Sequence, residues 1–276
     1  MLIWAGSFIF IKIGLQEIRP FNLAFYRFLI ASPTLFVFIF LKGNFKRPER
    51  SEYGKIIVLA LTGATLLYAV QFVALLYTTA TNSSILINTC VIFIALMSLF
   101  MGERLTRLKI LGIIISFIGV VMIVSNGYSF SFFTSDTLIG DLLMLFDGFL
   151  WAVYTIIGKS LLEKYSSDVL TAYAFIAGSF LLLPFAIYEG IVNPFTFSLL
   201  TWISLLYLAL LCSVVAYVIW YSALKTMETT RVAVFVYIVP LFTAVMAYFV
   251  LNEKIGVFTA IGGFLTMLGV YITEKY

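Results

Sequence analysis

The sequence predicts an all-α polytopic membrane protein whose ten transmembrane helices form two inverted five-helix repeats. Three observations lead to this fold class: the composition, the spacing of the apolar runs, and the recurrence of the same residues at a nearly constant offset. Of the 276 residues, 63% are hydrophobic and 11% are charged. A soluble domain carries about 25% charged residues. The lipid bilayer is therefore the expected solvent for most of this chain.

Ten apolar runs follow one another with short linkers between them. About 20 apolar residues at 1.5 Å rise per residue match the ~30 Å hydrocarbon core of a bilayer. The runs are too long and too continuously apolar for the strands of a membrane barrel. The predicted spans are residues 1–17, 21–41, 54–77, 82–101, 107–125, 138–161, 168–188, 199–224, 230–250 and 255–273.

Lysine and arginine residues indicate how the spans are oriented. Thirteen of the 17 lie in alternate loops or at the C-terminus, on one side. The other side carries only Arg19 and Lys254, while Lys12 and Arg27 lie within spans. Basic residues are retained on the cytoplasmic side, so we expect a multi-pass protein of the cytoplasmic (plasma) membrane with both termini cytoplasmic. This distribution accounts for the net charge of +4 without a nucleic-acid partner.

The two halves of the chain repeat each other with an offset of 147 to 150 residues. Five spans per half is an odd number, so the second half must be inverted in the membrane, as in many secondary transporters. We place the first repeat at residues 1–125, an extracytoplasmic linker at 126–137 and the second repeat at 138–276. The recurring pairs include Trp4 and Trp151, Lys12 and Lys159, Tyr26 and Tyr173, Tyr68 and Tyr217, Glu103 and Glu253, Gly112 and Gly262, and Gly119 and Gly269.

The residue types that most catalytic and metal sites need are scarce. The chain has no histidine, and its two cysteines, Cys90 and Cys212, lie inside apolar runs. HExxH zinc sites and Ser-His-Asp triads are therefore excluded. An intramembrane enzyme would need a second carboxylate at the depth of Asp147, and none is evident. We expect no catalytic residue, no metal site and no cofactor.

Three charged residues lie inside the predicted spans, where a charge is costly and usually functional. Asp147 is about 13 Å into the sixth span at 1.5 Å per residue, and Lys12 and Arg27 lie at comparable depth from the same face. We expect Asp147 to pair with Lys12 or Arg27 at the outward mouth of a cavity, and all three to act in coupling or gating. The alternative is that Lys12 and Arg27 extend to the interface and Asp147 has a structural partner.

Aromatic and polar side chains recur at helical spacing on several spans. Such walls suit an amphiphilic solute, because rings offer stacking and polar tips orient the ligand. The alternative is packing or an interfacial belt, and Asn88 is also explained by a hydrogen bond between helices. The candidate substrate-binding residues are Trp4, Ser7, Tyr68, Gln71, Asn88, Asp147, Trp151, Tyr154, Tyr217, Trp220, Tyr221 and Tyr237.

Two further patterns favour structural roles. Small residues line one stripe of the fifth span, including Gly112 and Gly119, and of the tenth, including Gly262 and Gly269. Such stripes allow close approach of helices, so we expect these spans to pack on each other within one chain; the alternative is a dimer seam. Glu103 and Glu253 lie between consecutive spans, and each is expected to cap the N-terminus of the helix that follows it; the alternative is that they carry protons.

Several short motifs, in this order along the chain, resemble the EamA-type members of the drug/metabolite transporter superfamily. They include Trp4 to Lys12, Tyr26 to Leu29, Gly102 to Thr106, Leu150 to Thr155 and Ser213 to Leu224. The resemblance covers nearly the whole chain. It implies a ten-helix carrier of small organic solutes, often exporting amino acids or related metabolites.

One position departs from the family pattern. The family tends to place a proline in both the fourth and the ninth helix. Pro240 keeps it in the ninth, but Cys90 stands in the corresponding position of the fourth. Because proline bends a helix, we expect only the ninth helix to kink strongly and Pro240 to contribute to gating.

These observations predict a secondary transporter, and not an enzyme. We expect an exporter that moves a small organic metabolite, an amino acid or similar zwitterion, by alternating access. The alternative is a proton-coupled exporter of lipophilic cations or drugs. The expected partners are the small-molecule substrate and the lipid bilayer, with protons as a candidate coupling ion. A monomer is expected, with a homodimer as the alternative.

Overall fold

The computed structural model describes residues 1–43, 46–100, 106–125, 137–226 and 238–275. Every regular element in these ranges is a helix, and no β-strand occurs in them, which confirms the all-helical fold class. The α-helices are α1 Leu2–Gly14, α2 Pro20–Leu41, α3 Tyr53–Ala60, α4 Leu66–Tyr77, α5 Ala80–Leu86, α6 Cys90–Phe100, α7 Arg107–Ser125, α8 Leu138–Leu162, α9 Ser167–Glu189, α10 Leu199–Leu206, α11 Ala216–Thr226, α12 Ile238–Leu251 and α13 Val257–Lys275.

Within the described ranges, six helical segments are long and apolar enough to cross a membrane: Pro20–Leu41, Arg50–Tyr77, Arg107–Val124, Leu138–Leu162, Ser167–Glu189 and Leu199–Ala223. Four shorter apolar helices cover Leu2–Gly14, Ala80–Ile94, Val239–Leu251 and Val257–Thr273. These boundaries follow the spans expected from hydropathy closely. The chain is a multi-span membrane protein, and the count of ten spans stays a prediction.

Two of the long segments contain a π-helix that hydropathy does not reveal. Leu61–Thr65 joins α3 to α4, and Tyr207–Val215 joins α10 to α11. In each, a hydroxyl bonds a carbonyl oxygen five residues earlier: Thr65 Oγ1 to Ala60 at 3.2 Å and Ser213 Oγ to Leu208 at 3.0 Å. The two π-helices overlap at the repeat offset of 149 residues. π-Helices are rare in proteins as a whole, but those that occur are frequently at functional sites.

The fourth predicted span changes helix type part-way along although it has no proline, and the expectation that only the ninth helix kinks strongly stays a prediction. A 3₁₀ turn at Ile87–Thr89 separates α5 from α6. Asn88 Nδ2 donates to the Ser84 carbonyl oxygen at 2.7 Å, and Thr89 Oγ1 donates to that of Leu86 at 2.7 Å. Side chains that bond the backbone can bend a helix without proline. Pro240 lies in the first described turn of α12, and a kink there stays a prediction.

The chain forms two compact units. Unit 1 comprises Met1–Ile9, Val73–Ala152 and Thr229–Tyr276, and unit 2 comprises Phe10–Phe72 and Val153–Glu228. Each unit draws on both halves of the sequence. Packing and sequence repetition therefore divide the chain differently, and the repeat boundaries remain a prediction.

In unit 1, α7 and α13 pack closely along their small residues. A Cβ atom on Gly119 would lie 2.5 Å from the carbonyl oxygen of Gly262, and one on Gly262 would lie 2.7 Å from that of Gly119. A Cβ on Gly269 would meet the Gly112 carbonyl oxygen even more closely. The prediction that the fifth and tenth spans pack on each other within one chain is confirmed.

In unit 2, α2 packs against α9 through residues that correspond in the two halves. Ser32 Oγ and Ser179 Oγ are 3.0 Å apart, and the Phe28 and Phe175 rings are 4.7 Å apart between centroids. At one end of this pair, the Glu189 carboxylate accepts hydrogen bonds from the backbone N–H groups of α2's first turn. This satisfies groups that a helix start otherwise leaves unpaired.

Candidate functional site

Arg27, in unit 2, is the largest of the fully buried side chains among the described residues. It lies on α2 with 1% of its surface exposed. Its Nε donates to Ser213 Oγ at 2.7 Å, and its guanidinium carbon lies 3.9 Å from the centroid of the Tyr68 ring. The alternative that Arg27 extends to the membrane interface is therefore wrong, because its charged end is held inside the protein.

Four predicted substrate-binding tyrosines come together in the same unit. The hydroxyl oxygens of Tyr68 and Tyr217 are 2.5 Å apart. The Tyr154 ring lies 5.9 Å from that of Tyr217 and 5.5 Å from that of Tyr221, between centroids. Gly63, in the first π-helix, has to be a glycine because the Tyr154 ring fills the space of a Cβ atom. All four tyrosines are buried, so the cluster is a buried aromatic core that also contains four hydroxyl groups.

Two more candidates belong to unit 2 and lie near this cluster in sequence. Trp220, on α11, and Gln71, on α4, are each 5% exposed. Lys12, in the last turn of α1, is half-buried. The structure thus places six of the predicted substrate-binding residues, together with Lys12 and Arg27, in unit 2.

Unit 1 holds the other described candidates. The Trp4 and Trp151 rings meet edge to face, with centroids 5.6 Å apart at 86°. Ser7 Oγ donates to the Trp4 carbonyl oxygen at 2.6 Å, within its own helix. Asn88 is 1% exposed and bonds its own helix through Nδ2, while its Oδ1 has no hydrogen-bond partner.

Asp147 is fully buried on α8 in unit 1. The next residue, Gly148, faces the 3₁₀ turn, since a Cβ there would lie 3.0 Å from Thr89 Oγ1 and 3.2 Å from the Ile87 carbonyl oxygen. The pairing of Asp147 with Lys12 or Arg27 stays a prediction. Pro240 is buried on α12, and Tyr237 lies outside the described residues.

Sequence analysis missed a second buried carboxylate in unit 1. Asp141, in the first turn of α8, is 0% exposed and accepts from Thr78 Oγ1, Thr137 Oγ1 at 2.8 Å and Asn82 Nδ2 at 3.4 Å. Asn82 Oδ1 in turn accepts from Thr259 Oγ1 at 3.4 Å. The sequence offered one signal of this site, namely the hydroxyl residues Thr78, directly after α4, and Thr137, directly before α8. The network ties the start of α8 to the α4–α5 turn.

Glu253 caps a helix, as predicted, but a different one. Its Oε1 accepts from Ala80 N at 2.8 Å, and its Oε2 accepts from Thr81 N at 3.2 Å and Thr81 Oγ1 at 3.1 Å. The capped helix is therefore α5, and the expectation that Glu253 caps the helix following it is wrong. The N-terminal N–H groups of α5 attract a carboxylate from whichever segment packs there. Glu103 lies outside the described residues.

The described residues contain no group of three or more His, Cys, Asp and Glu side chains that could hold a metal ion. What the geometry offers is instead a buried cation on an aromatic platform in unit 2, and two buried carboxylates and a tryptophan pair in unit 1. Buried charges and aromatic rings are groups that binding sites use to recognise the charge and the apolar surface of a ligand.

Comparison with known proteins identifies transporters as the relatives of this chain. A family model described as the EamA-like transporter family matches residues 1–125 and again 138–274. An "Uncharacterized transporter" of Archaeoglobus fulgidus is 59% identical over 99% of this chain and 94% of its own length. A "Probable amino-acid metabolite efflux pump" of Escherichia coli is 25% identical over 99% of this chain and 91% of its own length.

A solved structure described as "Crystal structure of protein" has the same fold. It superimposes with a TM-score of 0.67 at 18% identity, over 98% of this chain and 94% of that chain. The family model matches both halves of the sequence, and the archaeal relative matches nearly all of it. The chain belongs to the EamA-like transporter family.

Proposed function

We propose that this transporter is a ten-helix exporter in which two inverted repeats, residues 1–125 and 138–276 joined by the linker 126–137, move an amino acid or similar zwitterion by alternating access. It acts in the plasma membrane, with both termini in the cytoplasm. The observation that carries the proposal is that residues at equivalent positions of the two halves contact each other.

These contacts have the form expected of a two-fold relation. In a two-fold interface, a residue close to the axis touches its own counterpart, and off-axis residues touch reciprocally. In unit 2, Phe28 meets Phe175, Ser32 meets Ser179, and Tyr68 meets Tyr217. In unit 1, Trp4 meets Trp151. Five spans per repeat then make the two halves antiparallel, which is the arrangement of alternating-access carriers.

The loop contacts in unit 2 support the proposed orientation. Lys46 Nζ donates to the Lys164 carbonyl oxygen at 3.0 Å, and the backbone N–H of Glu49 donates to Tyr165 Oη at 3.0 Å. Contact between the loops after the second and sixth spans supports their lying on one membrane face, as the distribution of basic residues predicts. The ion pair between Lys164 and Glu52, 2.6 Å long, raises the pKa of Lys164 and joins the same two loops.

A zwitterionic substrate agrees with the charges and rings of the candidate residues. The proposed substrate-binding set is the predicted one, with Asp147, Lys12, Arg27 and Pro240 acting in coupling or gating. Aromatic platforms and buried charges of both signs suit a solute that carries an amine, a carboxylate and an apolar side chain. The bacterial relative named as an amino-acid metabolite efflux pump supports the same class.

The use of the glycine stripes supports a monomer over a dimer formed through them. In α7 and α13 these stripes face each other within the chain. They are therefore not free to form a dimer seam, and we propose a monomer.

The decisive experiment is counterflow into proteoliposomes containing the purified protein. The panel holds amino acids, nucleosides and organic cations, each with and without a pH gradient. We expect exchange of at least one neutral amino acid. Exchange of nucleosides or cations alone would refute the proposed substrate class.

A second candidate is a proton-coupled exporter of lipophilic cations. The observation that favours it is the pair of buried carboxylates, Asp141 and Asp147, in a chain rich in aromatic residues. In this case cationic dyes would compete with transport, neutral amino acids would not, and Asp147→Asn would abolish the dependence on the pH gradient.

A further inference from the structure

The environment of Arg27 is unusual for a buried charge. Its described partners are all neutral: the Ser213 hydroxyl and the rings of Tyr68, Phe28 and Phe72. Among the described residues of unit 2, no carboxylate forms an ion pair with it. Buried arginines are normally paired with an anion, because the desolvation of an unpaired charge is costly.

One nitrogen of the guanidinium group remains available. Arg27 Nη1 is buried and has no hydrogen-bond partner. Nε, by contrast, is engaged by Ser213, and the flat face of the group is covered by the Tyr68 ring. The side chain is thus fixed in orientation while part of its hydrogen-bonding edge is unused. A guanidinium fixed in this way is pre-organised to bind a carboxylate.

The anchor of Arg27 lies in a specialised stretch of backbone. Ser213 belongs to the second π-helix, and its hydroxyl donates to the Leu208 carbonyl oxygen at 3.0 Å while it accepts from Arg27. The π-helix therefore determines where Ser213 Oγ lies, and Ser213 determines where the guanidinium lies. A change in the winding of this segment would move Arg27 directly.

We infer that Arg27 is the residue that binds the carboxylate group of the transported substrate, with Ser213 as its positioning residue. The inference rests on the proposed function and gives Arg27 a role in recognition in addition to gating. An alternating-access carrier is closed to both sides in at least one state, so burial of Arg27 in this state is compatible with binding in another. The carboxylate would replace the anion that Arg27 lacks within unit 2.

The test compares substrates that differ only in this group. Counterflow is measured for L-phenylalanine, L-leucine and L-threonine and for the amide of each, with wild-type protein and the variants Arg27→Gln, Arg27→Lys and Ser213→Ala. For wild type we expect the acid to be preferred over the amide by about 10- to 100-fold, as for a charge-assisted hydrogen bond. Arg27→Gln should bring this ratio close to one while amide transport is retained. Arg27→Lys should give an intermediate ratio, because lysine binds a carboxylate as a point charge.

Arg107→Gln is the matched control, since Arg107 is exposed at the start of α7; its acid-to-amide ratio should equal that of wild type. If Arg27→Gln slows acid and amide equally, Arg27 is only structural and the inference is wrong. If Arg27→Gln fails to give a monodisperse protein, Ser213→Ala decides: a reduced ratio supports the inference and an unchanged ratio overturns it. Failure of wild type to transport any of these amino acids refutes the proposed substrate class, whereas an unchanged ratio in a transporting variant refutes the inference alone.

Discussion

The contact between α7 and α13 allows a quantitative prediction for Gly119→Ala. The new methyl group would lie 2.5 Å from the Gly262 carbonyl oxygen and 2.5 Å from the backbone nitrogen of Thr266. Ordinary contacts begin near 3.4 Å, so the helices must separate by about 0.9 Å. Both obstacles are backbone atoms, which a change of rotamer cannot remove. Overpacking of this kind costs about 1–3 kcal/mol.

The assay is thermal unfolding of the purified protein in detergent. About 2 kcal/mol corresponds to a fall in Tm of roughly 4–8 °C for a chain of this size. Gly54→Ala is the matched control, because Gly54 lies in helix α3 and the methyl group of an alanine there would have no other atom within 4 Å. Replacing an exposed helical glycine by alanine should raise stability by up to about 1 kcal/mol. Equal Tm values for Gly119→Ala and wild type would refute the close packing of these two helices.

Three further predictions concern carboxylates. Glu253→Gln removes the charge that caps α5 and should cost about 1 kcal/mol of stability, seen as a lower Tm; an unchanged Tm would show that the cap contributes nothing. Asp141→Leu leaves its hydroxyl and amide partners buried without an acceptor, and should cost about 3 kcal/mol or more, whereas Asp141→Asn should retain part of the network and unfold at a higher temperature than Asp141→Leu. Hydrogen bonds from Ser198 lower the pKa of Glu17. This contact therefore stabilises the folded protein at pH values above the ordinary pKa of 4.5, and that stability is lost as the pH falls through the lowered pKa. Unfolding measured from about pH 6 down to about pH 3 should therefore show a smaller loss of stability for Glu17→Gln than for wild type.

Hydropathy predicted the helical segments because the long ones have the length and the apolar composition of a bilayer span. It located α2, for example, within one residue of its start, where Pro20 occupies the first helical position. The small residues of α7 and α13 were equally informative, since close helix packing leaves a direct record in residue size. Both signals depend on local sequence.

The π-helices were missed because they look like ordinary apolar helix in the sequence; what distinguishes them is backbone hydrogen bonding between residues five positions apart. The other features that sequence analysis missed depend on contacts between distant segments. The partner of Glu253 is α5, which is 173 residues away. Asp141 lies near the start of its span, where a carboxylate looks like an exposed helix cap. Its burial comes from Thr78 and Asn82, which belong to other segments.

The contacts between equivalent residues have a consequence for the transport cycle. Let i and j be two positions of the first repeat, and i′ and j′ the equivalent positions of the second. When two inverted repeats exchange conformations, a contact between i and j′ is replaced by one between j and i′. A residue that touches its own counterpart is unchanged by this exchange. Under the proposed alternating-access cycle, the pairs Phe28–Phe175, Ser32–Ser179 and Tyr68–Tyr217 would therefore persist while the carrier turns over, and they would form the stationary part of unit 2 about which the other contacts are rearranged.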